Sequence, residues 1–286
     1  MDCAVPLTTP GSRDKMTVSL EGQVAGMVVF FDIDGTVVDN DTQIIPDSTV
    51  EAIRLLREKG HLPVVNTGRP YAHVDQRVRA MDFGGWICAC GMEVILNGQY
   101  LHRACLTPEE SAWVAAEAYR CGMLIQAESD TQLLYDSTKT YSGFSAREAV
   151  RLAARGIQVV PFQDVPGFQF IKFVTHDTEG CSRQAFLDAM APKFELNIHA
   201  GTMVEYIQKG HSKAWGMERL LQALSVPKEQ TFAIGDSGND LPMFALAGTT
   251  ICMGDGMDIL KEKADYVTDP LLEDGIYNAL KHFGLI

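Results

Sequence analysis

The stretch "VVFFDIDGTVVDN", Val28–Asn40, decides how the rest of the chain is interpreted. An apolar run ends there in two aspartates, Asp32 and Asp34, with one residue between them. The continuous apolar run predicts a strand that is covered on both faces, as in a parallel sheet. A core strand has no structural use for two carboxylates at its end, so we interpret the pair as functional.

Composition excludes several classes of partner. The chain has 286 residues, of which 46% are hydrophobic and 21% charged, an ordinary globular balance. Its 24 basic and 37 acidic residues give a net charge of −13, which repels nucleic acid and anionic membrane surfaces. We therefore expect a small-molecule partner, with neither nucleic acid nor membrane, and the oligomeric state stays open. Binding of a phosphorylated substrate would need a local positive charge, such as a metal ion, to overcome the repulsion from this net negative charge.

The seven cysteines are scattered and odd in number, and they show no spacing typical of a zinc site. We expect reduced thiols and a cytoplasmic protein. No apolar run reaches the ~18 residues that a membrane span requires, and the first residues lack the pattern of a signal peptide.

The pattern outward from Val28 alternates between strands and helices, changes near Leu106, and resumes after Gly210. The middle stretch mixes strand pairs with two or three helices, which is typical of an α+β unit. The predicted fold class is α/β, with a Rossmann-like, doubly wound parallel-sheet core and an inserted α+β domain. Its predicted parts are an extension (1–26), a core (27–105 and 210–286) and an insert (106–209).

Several local patterns give testable element predictions. A helix is expected from Asp47 or Ser48 to Gly60, and it buries one face. That face comprises Val50, Ile53 and Leu56. A second helix is expected to open at Pro70, and a third near residues 145–154. The pair Asn97-Gly98 predicts a hairpin, and Thr107 with Glu110 predicts a capping box.

Four polar clusters interrupt strand ends or helix starts in the α/β parts of the sequence. They are "DIDGT" (32–36), "TGR" (67–69), Lys213, and "GDSGND" (235–240). Each cluster alone is weak evidence, but the set in this order resembles the motifs of the haloacid dehalogenase superfamily of phosphohydrolases. The tail "LAGTTICMGDGMDILKEKADYVTDPLLEDGI" resembles the Cof-type branch, subfamily IIB, whose members carry a C2-type cap between the second and third motifs. The insert is then expected to be that cap, which sets substrate specificity.

The resemblance implies roles for individual residues. Asp32 corresponds to the nucleophile that forms an aspartyl-phosphate, and Asp34 to the general acid and base. Lys213 would hold the nucleophile and the phosphoryl group. The remaining phosphate-binding groups would be the Ile33 amide, Thr67, the Gly68 amide and Asn239.

Carboxylates that meet at one point repel each other unless a cation binds, and oxygen ligands suit Mg²⁺. The resemblance implies that Asp32, the backbone carbonyl of Asp34 and Asp236 bind Mg²⁺ directly, with Asp240 acting mainly through water. The roles of two further residues stay open. Arg69 either pairs with core carboxylates or faces the substrate, and Cys90, where relatives commonly have Asn, alters the floor of the cleft.

The sequence thus predicts a Mg²⁺-dependent phosphatase of small phosphomonoesters, with sugar phosphates favoured over nucleotide, flavin or pyridoxal phosphates. A phosphomutase is the nearest alternative. A non-enzymatic sensor of phosphorylated ligands is the alternative from another class, but it should have lost Asp32, Asp34 or Lys213, and all three are present.

Overall fold

A computed structural model of the chain describes residues 26–135, 152–153, 157–198 and 203–286. The strands of these residues are, in chain order, β1 (Val28–Phe31), β2 (Leu62–Asn66), β3 (Gly85–Cys88), β4 (Glu93–Leu96), β5 (Gln99–Arg103), β6 (Leu124–Glu128), β7 (Gln132–Tyr135), β8 (Gln158–Pro161), β9 (Lys172–His176), β10 (Phe194–Ile198), β11 (Val204–Gln208), β12 (Thr231–Gly235), β13 (Thr249–Cys252) and β14 (Tyr266–Val267). The α-helices are Asp47–Glu58, Gln76–Arg79, Pro108–Arg120, Arg183–Met190, Lys213–Leu224, Leu241–Leu246, Asp258–Lys261 and Gly275–His282.

Within the described residues the strands form two sheets. The larger has eight strands in the order β14-β13-β12-β1-β2-β3-β4-β5, and the smaller has six in the order β10-β11-β9-β6-β7-β8. In the larger sheet β1 pairs in parallel with both β2 and β12. The predicted α/β class with a parallel-sheet core is therefore confirmed.

Strand β1 is fully buried on both faces, as its apolar run predicts. Val29 and Phe31 pack with the helices Asp47–Glu58 and Gly275–His282, whereas Val28 and Phe30 pack with Lys213–Leu224 and Leu241–Leu246. Helices thus cover each face of the larger sheet, and this holds the residues at the end of β1 in a fixed position.

The helix Asp47–Glu58 corrects two details of the sequence interpretation. Pro46 precedes it, so neither Asp47 nor Ser48 caps it, and Val50 is 44% exposed. The buried face consists of Thr49, Ala52, Ile53 and Leu56. Ile53 and Leu56 are buried as predicted, and only Val50 is wrong: positions 49, 52, 53 and 56 follow the i, i+3, i+4, i+7 spacing of the stripe that meets the sheet, so Thr49 takes its place.

The prediction of a helix that begins at Pro70 was also wrong in part. Pro70 is extended (ψ 149°), and only the 3₁₀ turn Tyr71–His73 follows before the short helix Gln76–Arg79. The Tyr71 amide donates to the Glu93 carboxylate (2.7 Å), which directs the chain across β4. The hairpin at Asn97-Gly98 and the capping box at Thr107 are both confirmed. The helix predicted near 145–154 lies almost entirely outside the described residues.

The smaller sheet has one apolar face, which packs against the helices Pro108–Arg120 and Arg183–Met190. Its other side meets the larger-sheet part of the molecule, where Cys90 and Met92 pack with Ile171 and Ile207. The chain crosses to the smaller sheet after β5 and returns before Lys213. The rings of His102 and His211, one at each crossing, stack with their Nε2 atoms 3.1 Å apart.

The boundaries 27–105, 106–209 and 210–286 stay a prediction. None of the helices in the described ranges has the length and apolarity that crossing a bilayer would require.

Candidate active site

Three carboxylates meet at the carboxyl edge of the two central strands. Asp32 directly follows β1, Asp236 directly follows β12, and Asp240 lies in the 3₁₀ turn Gly238–Asp240. One carboxylate oxygen from each lies within 4.8 Å of the others. The amide of Asp32 donates to the Ile234 carbonyl (3.0 Å), so the strand ladder extends to Asp32 itself.

Two glycines make room for this approach. At Gly35, whose φ is +80°, a Cβ atom would lie 2.3 Å from Asp236 Oδ2. At Gly235 a Cβ atom would lie 2.4 Å from Asp240 Oδ2. Neither position tolerates a side chain while the carboxylates stay where they are. The Thr36 hydroxyl makes a long hydrogen bond to Asp236 Oδ1 (3.4 Å).

Lys213 contacts two of these carboxylates, those of Asp32 and Asp240. It is the first residue of the helix Lys213–Leu224 and is only 2% exposed. Its Nζ donates to Asp32 Oδ1 (2.7 Å) and Asp240 Oδ1 (2.6 Å), and more weakly to Asn239 Oδ1 (3.4 Å). The Asn66 amide donates to the Lys213 carbonyl (3.3 Å), so the end of β2 fixes the start of this helix.

Burial dominates the electrostatics of the cluster. It raises the pKa of Asp32 well above its usual range, Lys213 opposes this shift, and the neighbouring carboxylates add to it. Burial, followed by the charge of Asp240, raises the pKa of Asp236 to about 7. Burial works against the charge of Lys213, but Asp240 and Asp32 outweigh it and raise its pKa above the usual range. The site therefore favours a cation.

The carboxylate of Asp240 already has partners for both of its oxygens. Oδ1 accepts from Lys213, while Oδ2 accepts from the amides of Asp236 (3.0 Å) and Ser237 (3.2 Å). This arrangement orients the loop that carries Asp236. It suits a supporting role for Asp240 better than a direct bond to a metal ion.

The loop after β2 carries the next group of predicted residues. Arg69 binds the carboxylate of Asp34 with both Nε (2.8 Å) and Nη2, so of the two predicted roles the structure shows pairing with a carboxylate. Thr67 is buried, and its hydroxyl accepts from the Arg69 amide (3.2 Å). Gly68 lies beside Cys90, whose Sγ would be 3.5 Å from a Cβ atom at position 68.

A cavity of about 670 Å³ opens over this centre, between the two sheets. Cys90, Lys213 and Asn239 line it from the larger-sheet side, and Glu195 and Ile207 from the smaller sheet. Cys90 has a φ of +54° and a pKa raised to about 12, chiefly by burial. Its thiol is therefore protonated at neutral pH and forms part of the cavity wall.

Three further residues surround the carboxylates: Ile33, which was predicted to bind phosphate, and Thr36 and Asn66, which were not assigned a role. The side chain of Ile33 packs in the core, and its carbonyl accepts from the amides of Thr36, Val37 and Val38. Sequence reasoning did not assign roles to Thr36 or Asn66. Thr36 belongs to the "DIDGT" cluster and Asn66 directly precedes "TGR", so the position of each beside a motif was a signal.

The family follows from comparison with known proteins. Residues 29–280 match the model of the haloacid dehalogenase-like hydrolases, so the chain belongs to this family. It is 27% identical over 262 residues to the 5-amino-6-(5-phospho-D-ribitylamino)uracil phosphatase YcsE of Bacillus subtilis, covering 90% of this chain and 96% of that protein. It is 25% identical over 257 residues to a phosphoglycolate phosphatase of Methanothermobacter thermautotrophicus, covering 88% of this chain and 96% of that protein.

A solved structure agrees. The chain is similar to a sugar phosphatase of subclass IIB of the superfamily, with a TM-score of 0.74 and 27% identity. The match covers 91% of this chain and all of that one. The predicted membership of the Cof-type, subclass IIB branch is confirmed, and the protein is a phosphatase-type hydrolase.

Proposed function

We propose that the protein is a Mg²⁺-dependent phosphatase that hydrolyses small phosphomonoesters through an aspartyl-phosphate intermediate. The observation that carries the proposal is the buried contact of Lys213 with Asp32 and Asp240, beside the carboxylate of Asp236. A buried ammonium between two carboxylates holds one of them in a single orientation, which an in-line nucleophile needs.

The proposed reaction has two steps. A carboxylate oxygen of Asp32 attacks phosphorus, the bond between phosphorus and the ester oxygen breaks, and Asp34 gives its proton to the departing alkoxide. Asp34 then accepts a proton from water, whose oxygen attacks phosphorus, so that phosphate leaves and Asp32 is regenerated. Asp34 is held by Arg69 in this structure, and the acid step requires Arg69 to release at least one of its two contacts.

The residues present fit a divalent cation. Three carboxylates face one ammonium, and their oxygens are the ligand type that Mg²⁺ prefers. Asp32, Asp236 and the backbone carbonyl of Asp34 would hold the ion, with Asp240 in support. When bound, Mg²⁺ neutralises the repulsion between these carboxylates and a phosphate dianion.

Phosphate binding is assigned to groups around Asp32. Lys213 supplies the positive charge, while Thr67, the Gly68 amide, the Ile33 amide and Asn239 supply hydrogen bonds. Lys213 and Asn239 both line the cavity, which supports this assignment.

We propose sugar phosphates as the leading substrates, with residues 106–209 acting as the cap. The structural neighbour in subclass IIB is a sugar phosphatase, and the substrate named for the B. subtilis relative carries its phosphate on a ribityl chain. A cavity of about 670 Å³ accommodates a ligand of this size.

The decisive variant is Asp32→Asn. It should abolish turnover of p-nitrophenyl phosphate, because the amide cannot act as the nucleophile, while circular dichroism shows the fold intact. The control is Asp41→Asn, which changes an exposed carboxylate of the following loop and should keep full activity. Normal activity in Asp32→Asn would refute the mechanism.

The fate of the phosphoryl group distinguishes a phosphatase from a phosphomutase. A phosphatase should release one inorganic phosphate for each ester consumed. A mutase primed with a bisphosphate should release almost none and return an isomeric ester, which would contradict the proposal.

We also propose a cytoplasmic location. Cys88 and Cys90 lie two residues apart, are buried and carry free thiols, as is usual in a reducing compartment. Fractionation of the source cells followed by immunodetection tests this, and recovery in a secreted fraction would contradict it.

A further inference from the structure

The face of the smaller sheet that meets the larger-sheet part carries charged side chains, and one of them, Glu195, lines the cavity. Along its strands the side chains alternate, and Phe173, Phe194 and Tyr206 fill the apolar core on one face. The neighbouring positions therefore lie on the opposite face, which meets the larger-sheet part. They include the four charged residues Glu128, Lys172, Glu195 and Glu205.

These residues form one connected group. Lys172 is 5% exposed, donates to Glu205, and lies 3.7 Å from Glu128, its direct partner across β6 and β9. Asn197 donates to the second oxygen of Glu205 (3.3 Å) from the opposing position on β10. Glu195, two residues before Asn197 on the same strand, lines the cavity.

The group adjoins the loop assigned to phosphate binding. A Cβ atom on Gly68 would lie 3.8 Å from Glu205 Oε1 and 3.9 Å from Lys172 Nζ. In the proposed reaction, the alcohol part of the ester points away from Asp32 and Lys213. The cavity that Lys213 lines reaches Glu195 and Asn197 of the smaller sheet, so this is the side on which we place the alcohol part.

The charge of the face is negative. Counted over the strand residues that the structure describes, three carboxylates and one ammonium give this face a net charge of −2. Among the described residues that line the cavity, the charged side chains are Lys213, already bound to two carboxylates, and Glu195. Within the described lining, Glu195 is thus the carboxylate that can accept hydrogen bonds from the alcohol part, and its charge opposes a second anion.

We infer that this carboxylate face selects phosphomonoesters whose alcohol part is uncharged and rich in hydroxyl groups, and that it rejects esters carrying a carboxylate or a second phosphate. The inference rests on the proposed function and deepens it. Hydroxyl groups donate to carboxylate oxygens, whereas an anion placed against them is repelled and must lose its hydration.

Pairs of substrates that differ in the charge of the alcohol part test the selection. sn-Glycerol 3-phosphate and 3-phosphoglycerate differ chiefly in a hydroxymethyl group against a carboxylate, and fructose 6-phosphate is compared with fructose 1,6-bisphosphate. We expect kcat/KM to favour the uncharged member of each pair by roughly tenfold or more at low salt, because like charges across a site are strongly unfavourable. The preference should weaken as sodium chloride screens the charges.

The variant Glu195→Lys assigns the effect to this face. Glu195 is exposed, so the change should leave the fold intact, and it should lower the preference several-fold by raising kcat/KM for the anionic esters. The matched control is Glu179→Lys, which makes the same change of charge in the exposed turn after β9, outside the cavity lining. It should leave the preference as in the original protein.

The outcomes separate the two proposals. Turnover of p-nitrophenyl phosphate combined with an equal or greater kcat/KM for the anionic esters would overturn this inference and leave the phosphatase standing. An unchanged preference in Glu195→Lys, or an equal change in Glu179→Lys, would also overturn it. Absence of turnover for every ester, including p-nitrophenyl phosphate, would overturn both proposals.

Discussion

Gly35 and Asp236 occupy adjoining space, although 200 residues separate them in the sequence. The carboxylate of Asp236 rests where a side chain on residue 35 would be, and the positive φ of Gly35 turns the chain away after Asp34. One residue type thus meets two demands, a left-handed backbone and the absence of a side chain.

Gly35→Ala should therefore reduce activity more than it reduces stability. The left-handed backbone costs an alanine about 1 kcal/mol, and the added methyl group must also displace Asp236. We expect kcat/KM for p-nitrophenyl phosphate to fall at least tenfold, measured beside the free energy of unfolding in urea.

Gly98→Ala is the matched control for Gly35→Ala. Gly98 has nearly the same backbone, with φ +77°, but nothing lies within 4 Å of its Cβ position. It should lose about the same free energy of unfolding, since the backbone cost is the same, and keep its activity. Equal activity in the two alanine variants would show that the contact with Asp236 is unimportant.

At this scale the sequence indicated the acidic residues well, because their motifs are local. The proximity of Asp32, Asp236 and Asp240 follows from parallel strands that end at one edge of a sheet. The support from Asn66 to the Lys213 carbonyl could not be predicted, because it joins two elements whose relative position no local pattern encodes.

Among the elements, the helix Lys213–Leu224 matters most to the site because Lys213 is its first residue. Ser212 caps it, accepting from the Trp215 amide (3.1 Å). The cap fixes the direction of the first turn and with it the path of the Lys213 side chain.

Ser212→Ala should lower the free energy of unfolding by about 1 kcal/mol, the usual loss for an N-cap. It should also lower kcat several-fold, since the first turn then frays and Lys213 holds Asp32 less firmly. Thermal or urea unfolding and steady-state kinetics on the same preparation measure the two effects.

Thr107→Ala provides the comparison. Thr107 caps the helix Pro108–Arg120 in the inserted segment, away from Lys213, with a hydrogen bond to the Glu110 amide (3.1 Å). A similar loss of stability with unchanged kcat is expected. A kcat that falls equally in both variants would mean that general loosening, and not the position of Lys213, is responsible.

Element types were easier to predict than their phase and limits. The apolar run of β1 predicts a buried strand and Asn97-Gly98 predicts a hairpin turn, and the structure has both. Which face of the helix Asp47–Glu58 is buried depends on how the helix packs on the sheet. The path of the chain beyond Pro70 depends on the hydrogen bond from the Tyr71 amide to Glu93. Both depend on tertiary contacts that a single segment does not reveal.

For the whole molecule, the net negative charge and the cluster of carboxylates both favour binding of a cation. A chain with a net charge of −13 that gathers Asp32, Asp236 and Asp240 in one place gains stability from any cation bound there. Removal of the metal should therefore affect both turnover and unfolding.

Dialysis against EDTA should abolish turnover of p-nitrophenyl phosphate, and added Mg²⁺ should restore it. At a concentration one hundred times its dissociation constant, Mg²⁺ should stabilise the folded state by about 2.7 kcal/mol, visible as a rise in Tm of several degrees.

Asp236→Asn tests whether this stabilisation arises at the proposed site. The variant should lose most of the rise in Tm because a direct ligand has lost its charge, whereas Asp255→Asn, an exposed acid in the turn after β13, should retain it. Full turnover in metal-free buffer would contradict the proposed dependence on Mg²⁺.

The stacked rings of His102 and His211 place the beginning and the end of the inserted segment side by side, with their centroids 5.3 Å apart. A segment whose ends lie this close makes little demand on the sheet that carries it. It can be exchanged for another with equally close ends, while β1 and β12 keep their places beside each other. Under the proposed role of residues 106–209 as the cap, a different insert would change the selectivity while Asp32 and Lys213 keep their positions.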